Sequence, residues 1–191
     1  MTPRRTLSAV AVAVLAIALG WLLFVGLPRW YGGPASKAGA TLPPDAPAAP
    51  GRTIKARLFY IADDGTRLAG VERDVAYGEG TVEQARQMIE AQIAPVAEPL
   101  VSAVPAGTRL RALFVSDRGT AYVDLSREVA AAHTGGSVNE LLTVYAIVNV
   151  LTANLPAITA VQVLVDGKEV ETLAGHVDLR LPLVGNATWV Q

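Results

Sequence analysis

Hydrophobic and polar positions along the chain change rhythm several times, and each change predicts an element. From Leu7 to Leu27 there is no charge at all, only Leu, Ala, Val, Ile, Phe, Trp and small residues. At about 1.5 Å per residue such a helix spans roughly 30 Å, the hydrocarbon thickness of a bilayer. Residues 28–51 then lose the apolar rhythm in favour of Pro, Ala and Gly, a composition that cannot pack a core and favours an extended spacer. Residues 52–191 show the short alternations and helical spacings of a folded domain.

Within that domain, Thr53–Ala62 and Arg67–Ala76 flank Asp63-Asp64-Gly65-Thr66, which predicts a hairpin turning at Asp64-Gly65. That register sets Lys55 opposite Asp74 and Arg57 opposite Glu72 on one face. Ile54 meets Val75 and Leu58 meets Val71 on the other, the division a half-solvated antiparallel pair requires. Thr81–Ala94 reads as a helix opened by a Thr81–Gln84 capping box, with Val82, Ala85, Ile89 and Ile93 inward and Glu83, Arg86, Gln87 and Glu90 outward.

A loop, Ser102–Thr108, leads to strands Arg109–Ser116 and Thr120–Leu125, which turn at Asp117-Arg118-Gly119. Both carry apolar residues on both faces and are expected to be central. A short helix near Ser126–Ala132 precedes a second main helix from Val138 to Leu155. Ser137 and Glu140 suggest a capping box there too, and the apolar residues run almost all round it, which in water requires burial. Glu140, Asn139, Asn149 and Asn154 argue against a second membrane span. Ala160–Val165 and Lys168–Leu173, joined by Asp166-Gly167, form a last hairpin. The expected fold class is α+β: a small mixed, mostly antiparallel sheet with two main packed helices in ββα-ββα-ββ order, preceded by one transmembrane helix.

The first apolar run has two readings. A cleaved signal peptide has a shorter apolar core followed by a small-x-small site. Here the run is long and ends in Gly26-Leu27-Pro28-Arg29-Trp30, with Trp30-Tyr31 suited to a membrane–water interface. An uncleaved signal anchor over 7–27 is the reading adopted. Residues 1–6, with Arg4 and Arg5, form a short cytoplasmic leader, and the domain is placed on the extracytoplasmic (periplasmic) side of the inner membrane. Arg29 and Lys37 partly offset the charge asymmetry that sets this orientation.

Composition narrows the function classes. Residues 52–191 hold 12 Lys and Arg against 16 Asp and Glu, unlike the basic footprint of a nucleic-acid binder. With no cysteine in the chain, disulfides, thiolate metal sites, Cys nucleophiles and lipidation of an N-terminal Cys are excluded. His133 and His176 are the only histidines, and both are assigned structural or solvated roles rather than a shared zinc site or a general base. No metalloprotease, nucleophile-elbow or phosphate-loop pattern occurs.

Asp124 and Glu128 have the residue types of a glycosidase pair, but Asp124 or Ser126 capping the short helix explains them more simply. Asp63 and Asp64 are explained as turn residues. Lys55 with Arg57, and Arg109 with Arg111, form candidate patches for an anionic polymer or partner. The Ser102–Thr108 loop is the other candidate contact region, so the candidate partner-binding residues are Arg109, Arg111, Ser102 and Thr108. No catalytic, cofactor-binding or metal-binding residue is assigned, and no cofactor is expected.

Several segments together carry a family resemblance. Leu58-Phe59-Tyr60, Asp64-Gly65, Leu100-Val101-Ser102-Ala103-Val104-Pro105-Ala106-Gly107-Thr108, Val123-Asp124-Leu125-Ser126, the Gly136–Leu155 helix ending in Leu-Pro, and Val161–Gly167 resemble, in order and spacing, the GerMN domains of sporulation and spore germination proteins. Ala94-Pro95 stands where the family often has Gly-Pro. Two copies on a lipid anchor are known in the family; here one copy follows an apolar helix.

The resemblance implies an α+β domain of the bacterial envelope, in some chains joined to peptidoglycan amidase domains, and no established catalytic residues. The function expected is therefore a non-catalytic binding or scaffolding module that meets an envelope protein or cell-wall polymer, linked to sporulation, germination or peptidoglycan processes. A peptidoglycan-acting enzyme and a small-ligand sensor are the alternatives.

Overall fold

The computed structural model describes Trp21 and residues 51–191. Apart from Trp21 and Gly51, the expected leader, span and linker lie outside the described residues. Among the described residues no helix is long and apolar enough to cross a membrane.

Strands β1 (Thr53–Ile61) and β2 (Leu68–Ala76) are followed by helix α1 (Gly80–Ile93), strands β3 (Leu110–Val115) and β4 (Thr120–Leu125), the single-turn helix α2 (Glu128–Ala131) and helix α3 (Ser137–Thr152). Strand β5 (Ala160–Val165), the two-residue strands β6 (Lys168–Glu169) and β7 (Leu183–Val184), and a 3-10 turn at Ala187–Trp189 complete the domain. The α+β class holds, but there are two sheets where one was expected. β1 and β2 pair only with each other, while β3-β4-β5-β6 form a second sheet with β7 also on β5.

β4 and β5 run parallel, because the chain crosses over through α2 and α3 between them, as parallel neighbours require. Helix α3 packs against β1 and β5, one strand from each sheet. Its buried residues include Leu142, Ile147 and Leu151, so the burial expected of a helix apolar almost all round is matched by the packing.

The first hairpin has the expected register: Lys55 is level with Asp74, Arg57 with Glu72, Ile54 with Val75 and Leu58 with Val71. Lys55 Nζ lies 3.0 Å from Asp74. The turn differs, since a two-residue type I′ turn needs positive φ at both central positions and here Gly65 alone is left-handed, at φ 69°. The Gly65 N–H closes on Ala62 O at 2.9 Å, and Thr66 N–H donates to Asp64 Oδ1. The type I′ signature instead appears at Asp166 (φ 51°) and Gly167 (φ 76°). The strand after that turn ends at Glu169, not at Leu173.

Neither capping box forms. Gln84 reaches past its own helix end, accepting from Gly78 N–H at 2.9 Å and donating to Ala76 O at 3.1 Å. The buried face of α1 is consequently Gln84, Ala85, Met88, Ile89 and Gln92, and Val82 is exposed. Glu140, with no exposed surface, accepts Leu173 N–H and His176 N–H at 2.8 Å each. Burial pushes its carboxyl up, but the N–H groups of Ala174, His176, Leu173 and Val177 together hold it below the ordinary glutamate range.

β3 is an edge strand, not a central one, and Phe114 is 65% exposed on it. Its inward residue Leu113 is buried with Val123 opposite. Its outer face has no covering layer at Phe114, a matter decided by tertiary packing rather than by strand pattern.

β1 has a free side as well, and side chains close it. Arg57 N–H donates to Asn154 Oδ1 and Asn154 Nδ2 donates to Arg57 O, both at 2.8 Å. Gln92 makes the same pair of bonds with Phe59, and Ile61 N–H donates to Val101 O at 2.9 Å. The outward main-chain groups of Arg57 and Phe59 and the outward N–H of Ile61 therefore all have partners, as polar main-chain groups withdrawn from water require.

Candidate functional site

The four residues singled out as partner contacts fall on two adjoining depressions. The larger, of about 600 Å³, lies between the segment leaving α1 and the loop that follows it, with Ser102, Thr108 and Arg109 in its lining. The smaller, of about 390 Å³, is lined by Arg109, Arg111, Ser126, Arg127, Glu128 and Asp166. Arg109 belongs to both.

Their chemistry is unequal. Ser102 Oγ accepts from Val104 N–H and donates to Val104 O, both at 3.1 Å. Thr108 Oγ1 donates to Pro105 O at 2.7 Å and the residue is buried. These are local side-chain-to-backbone bonds that stiffen a loop, and neither hydroxyl is a free contact. Arg111 is also engaged: its Nε lies 3.2 Å from Asp124 Oδ2 and its Nη1 2.8 Å from Asp166 Oδ1. Arg109 is exposed and, among the described residues, makes no ion pair within bonding range.

Asp124 and Ser126 do not cap α2, whose first turn has no side-chain cap. Asp124 Oδ1 accepts Gly167 N–H at 2.7 Å, so this carboxylate ties the last hairpin to Arg111. Ser126 Oγ accepts Arg109 N–H at 3.0 Å. The Ser126 hydroxyl, with the Glu128 main chain and the Arg109 and Arg127 charges, holds the Glu128 carboxyl below its ordinary range. Arg127 Nε is 3.6 Å from Glu128 Oε1.

A third cavity, of about 380 Å³, lies across the same loop and includes His133, Asn139 and Thr143. Gly135 N–H donates to His133 Nδ1 at 2.9 Å, which leaves Nε2 as the protonated nitrogen, donating to Thr143 Oγ1 at 3.1 Å. The Thr143 hydroxyl donates to Ala103 O at 2.6 Å. His133 thus braces the contact loop against α3. His176 contributes its main-chain N–H to Glu140. Among the described residues no group of three or more His, Asp or Glu is placed to hold a metal.

The Lys55–Arg57 patch is divided. Lys55 is paired with Asp74, and Arg57 lies across Gly70 with its guanidinium 5.6 Å from the Phe59 ring centroid. Sequence reasoning did not find the aliphatic groove, because its lining residues Ile93, Pro95, Val96, Leu100 and Val101 show no helical or strand period. The Pro-rich exit from α1 was the available signal.

Among curated protein sequences, none matches the chain. Among solved structures, the first GerMN domain of the sporulation protein GerM from Bacillus subtilis is similar, with a TM-score of 0.54 at 19% identity over 69% of this chain and 98% of that one. The tandem GerMN domains of the same protein give a TM-score of 0.53 at 18% identity over 69% of this chain. The chain spans about half of that tandem, 46% of its length. A family model described as "Germane: Sporulation and spore germination" matches residues 57–171. That match takes in all three α-helices and both sheets apart from the start of β1 and strand β7, and the chain belongs to the Germane family of sporulation and spore germination domains.

Proposed function

We propose that the chain is a membrane-tethered, non-catalytic binding module, held on the extracytoplasmic face of a bacterial envelope by residues 7–27. It engages an envelope protein or cell-wall polymer through the face bearing Arg109. One observation carries this reading: a groove of about 600 Å³ whose hydroxyl groups are consumed by its own loop, with an arginine that has no ion-pair partner among the described residues at the margin shared with a second pocket. Such a surface offers apolar contact and one charge, which suits binding. The family's description supports a role in sporulation or germination.

The test uses the full-length protein in bacterial cells, with a photo-crosslinking residue at Arg109 and a control at exposed Arg73 on β2. A specific envelope adduct from position 109 alone is the expected result. Adducts that are equal from both positions, or an absence of any, would refute the assignment of this face. Separately, release of the full-length chain by alkaline carbonate would refute the tether.

A further inference from the structure

The geometry points to β3 as a self-pairing edge: a second copy of this chain lays its own β3 antiparallel along the open side, across a two-fold axis at Phe114. This surface goes beyond the Arg109 face and does not rest on it. Ser116 N–H donates to Thr120 O at 2.9 Å, and Phe114 is level with Tyr122. Hydrogen-bonded pairs alternate along an antiparallel ladder, so the main chain of Leu113 and Val115 points away from β4. Among the described residues neither has a hydrogen-bond partner on that side. The other sheet margins are guarded. β1 is sealed by Asn154, Gln92 and Val101, β2 bears exposed Glu72, Arg73 and Asp74, and β6 and β7 have two residues each. Charge and shortness are what keep an edge from recruiting another strand. β3 runs for six residues with one charge, Arg111.

The order of residues selects a second copy as the occupant. About Phe114 the strand reads alike in both directions: Leu113 and Val115, then Ala112 and Ser116, then Arg111 and Asp117. A two-fold axis there sets Phe114 against its own copy, Leu113 against Val115 and Ala112 against Ser116, each with its own kind. The ends meet with opposite charge, Arg111 against exposed Asp117, whereas a parallel arrangement would set Arg111 beside itself, at a cost. Sliding the axis to Leu113 would put Arg111 against Val115, and sliding it to Val115 would put Leu113 against Asp117. Phe114, 65% exposed, falls at a site without cross-strand hydrogen bonds, where side chains approach most closely. Such a contact is self-complementary and closes as a dimer.

The full-length protein in neutral detergent micelles tests the assignment. Sedimentation velocity is expected to show a monomer–dimer equilibrium that shifts with protein concentration. Val115→Pro removes an outward N–H, a position at which an edge strand tolerates proline. It should weaken dimerisation about tenfold or more, as should Phe114→Glu, which sets like charges across the axis. An unchanged far-ultraviolet circular dichroism spectrum establishes that each variant is folded. The chain has no cysteine, so a mixture of Ala112→Cys and Ser116→Cys chains reads the register. Neighbours of that type lie about 4.5 Å apart at Cα, within disulfide reach. Under a mild oxidant the mixture should yield a linked dimer, and Arg73→Cys chains alone should not. A chain that is monomeric at every concentration, a dimer undiminished by Val115→Pro, or a mixture that links no better than the Arg73→Cys control would overturn the inference.

Discussion

The side-chain amide of Gln92 stands in for a neighbouring strand at Phe59: its Oε1 accepts the Phe59 N–H at 2.9 Å and its Nε2 donates to the Phe59 carbonyl at 2.6 Å. Gln92 has no exposed surface, so no water can replace either bond. Leaving a buried donor or acceptor unpaired costs about 1–3 kcal/mol. Gln92→Leu should therefore lower the unfolding free energy by about 3 kcal/mol. Gln92→Glu should also destabilise, because a carboxylate cannot donate to the carbonyl. Urea midpoints of the two variants check both; a midpoint for Gln92→Leu within error of the parent would mean the amide does not seal the strand.

Glu140 supplies the pH dependence. Its carboxyl is held below the unfolded value of about 4.3, so its contribution is fully present above that value and is lost as pH falls through the lower folded one. Glu140→Gln keeps one acceptor but turns an N–H group towards a main-chain donor. The variant should be about 2 kcal/mol less stable than the parent at neutral pH. The gap should narrow as the pH drops below 4. A gap that stays constant across that window would show that the charge on Glu140 is irrelevant to anchoring Leu173 and His176.

Arg109 and Arg111 are two residues apart with opposite duties. Arg111 holds Asp124 and Asp166, and Asp124 is nearly buried. Arg111→Ala is expected to cost about 1–2 kcal/mol of stability, while Arg109→Ala should stay within about 0.5 kcal/mol. Thermal or urea unfolding separates them. If the order were reversed, Arg109 would be the structural residue and the assignment of the contact face would fail.

Gly65 and Gly167 both sit in left-handed conformations. Alanine at either position should destabilise by about 1–2 kcal/mol, and asparagine by less. At Gly167 the loss should also loosen Arg111, because the Gly167 N–H holds Asp124. Amide exchange at Gly167 is the readout, and Gly167→Ala leaving the Arg111–Asp124 pair intact would count against that linkage.

Legibility from sequence followed the range of the interactions. The first hairpin's register was readable because two independent sets of cross-strand pairs specify it, and both are present. Its turn was not readable, because Asp-Gly is compatible with more than one geometry and occurs here in two. Both capping boxes failed for one reason: Gln84 and Glu140 found partners outside their own helix ends, at Gly78 and Ala76 in one case and at Leu173 and His176 in the other.

At the candidate face, Arg109 could be picked out by strand alternation. The inward hydroxyls of Ser102 and Thr108 follow from local bonding that the same stretch permits. The division of labour between the two arginines depends on Asp166, far along the chain, and no local pattern reports it.

The two carboxamides that flank Arg57 and Phe59 have a consequence at high protein concentration. Backbone left bare along that margin would template pairing between molecules. Guarding it with Asn154 and Gln92 makes colloidal behaviour depend on a pair of small polar groups, so a variant lacking both should form intermolecular β-structure sooner than its loss of folding free energy alone would dictate.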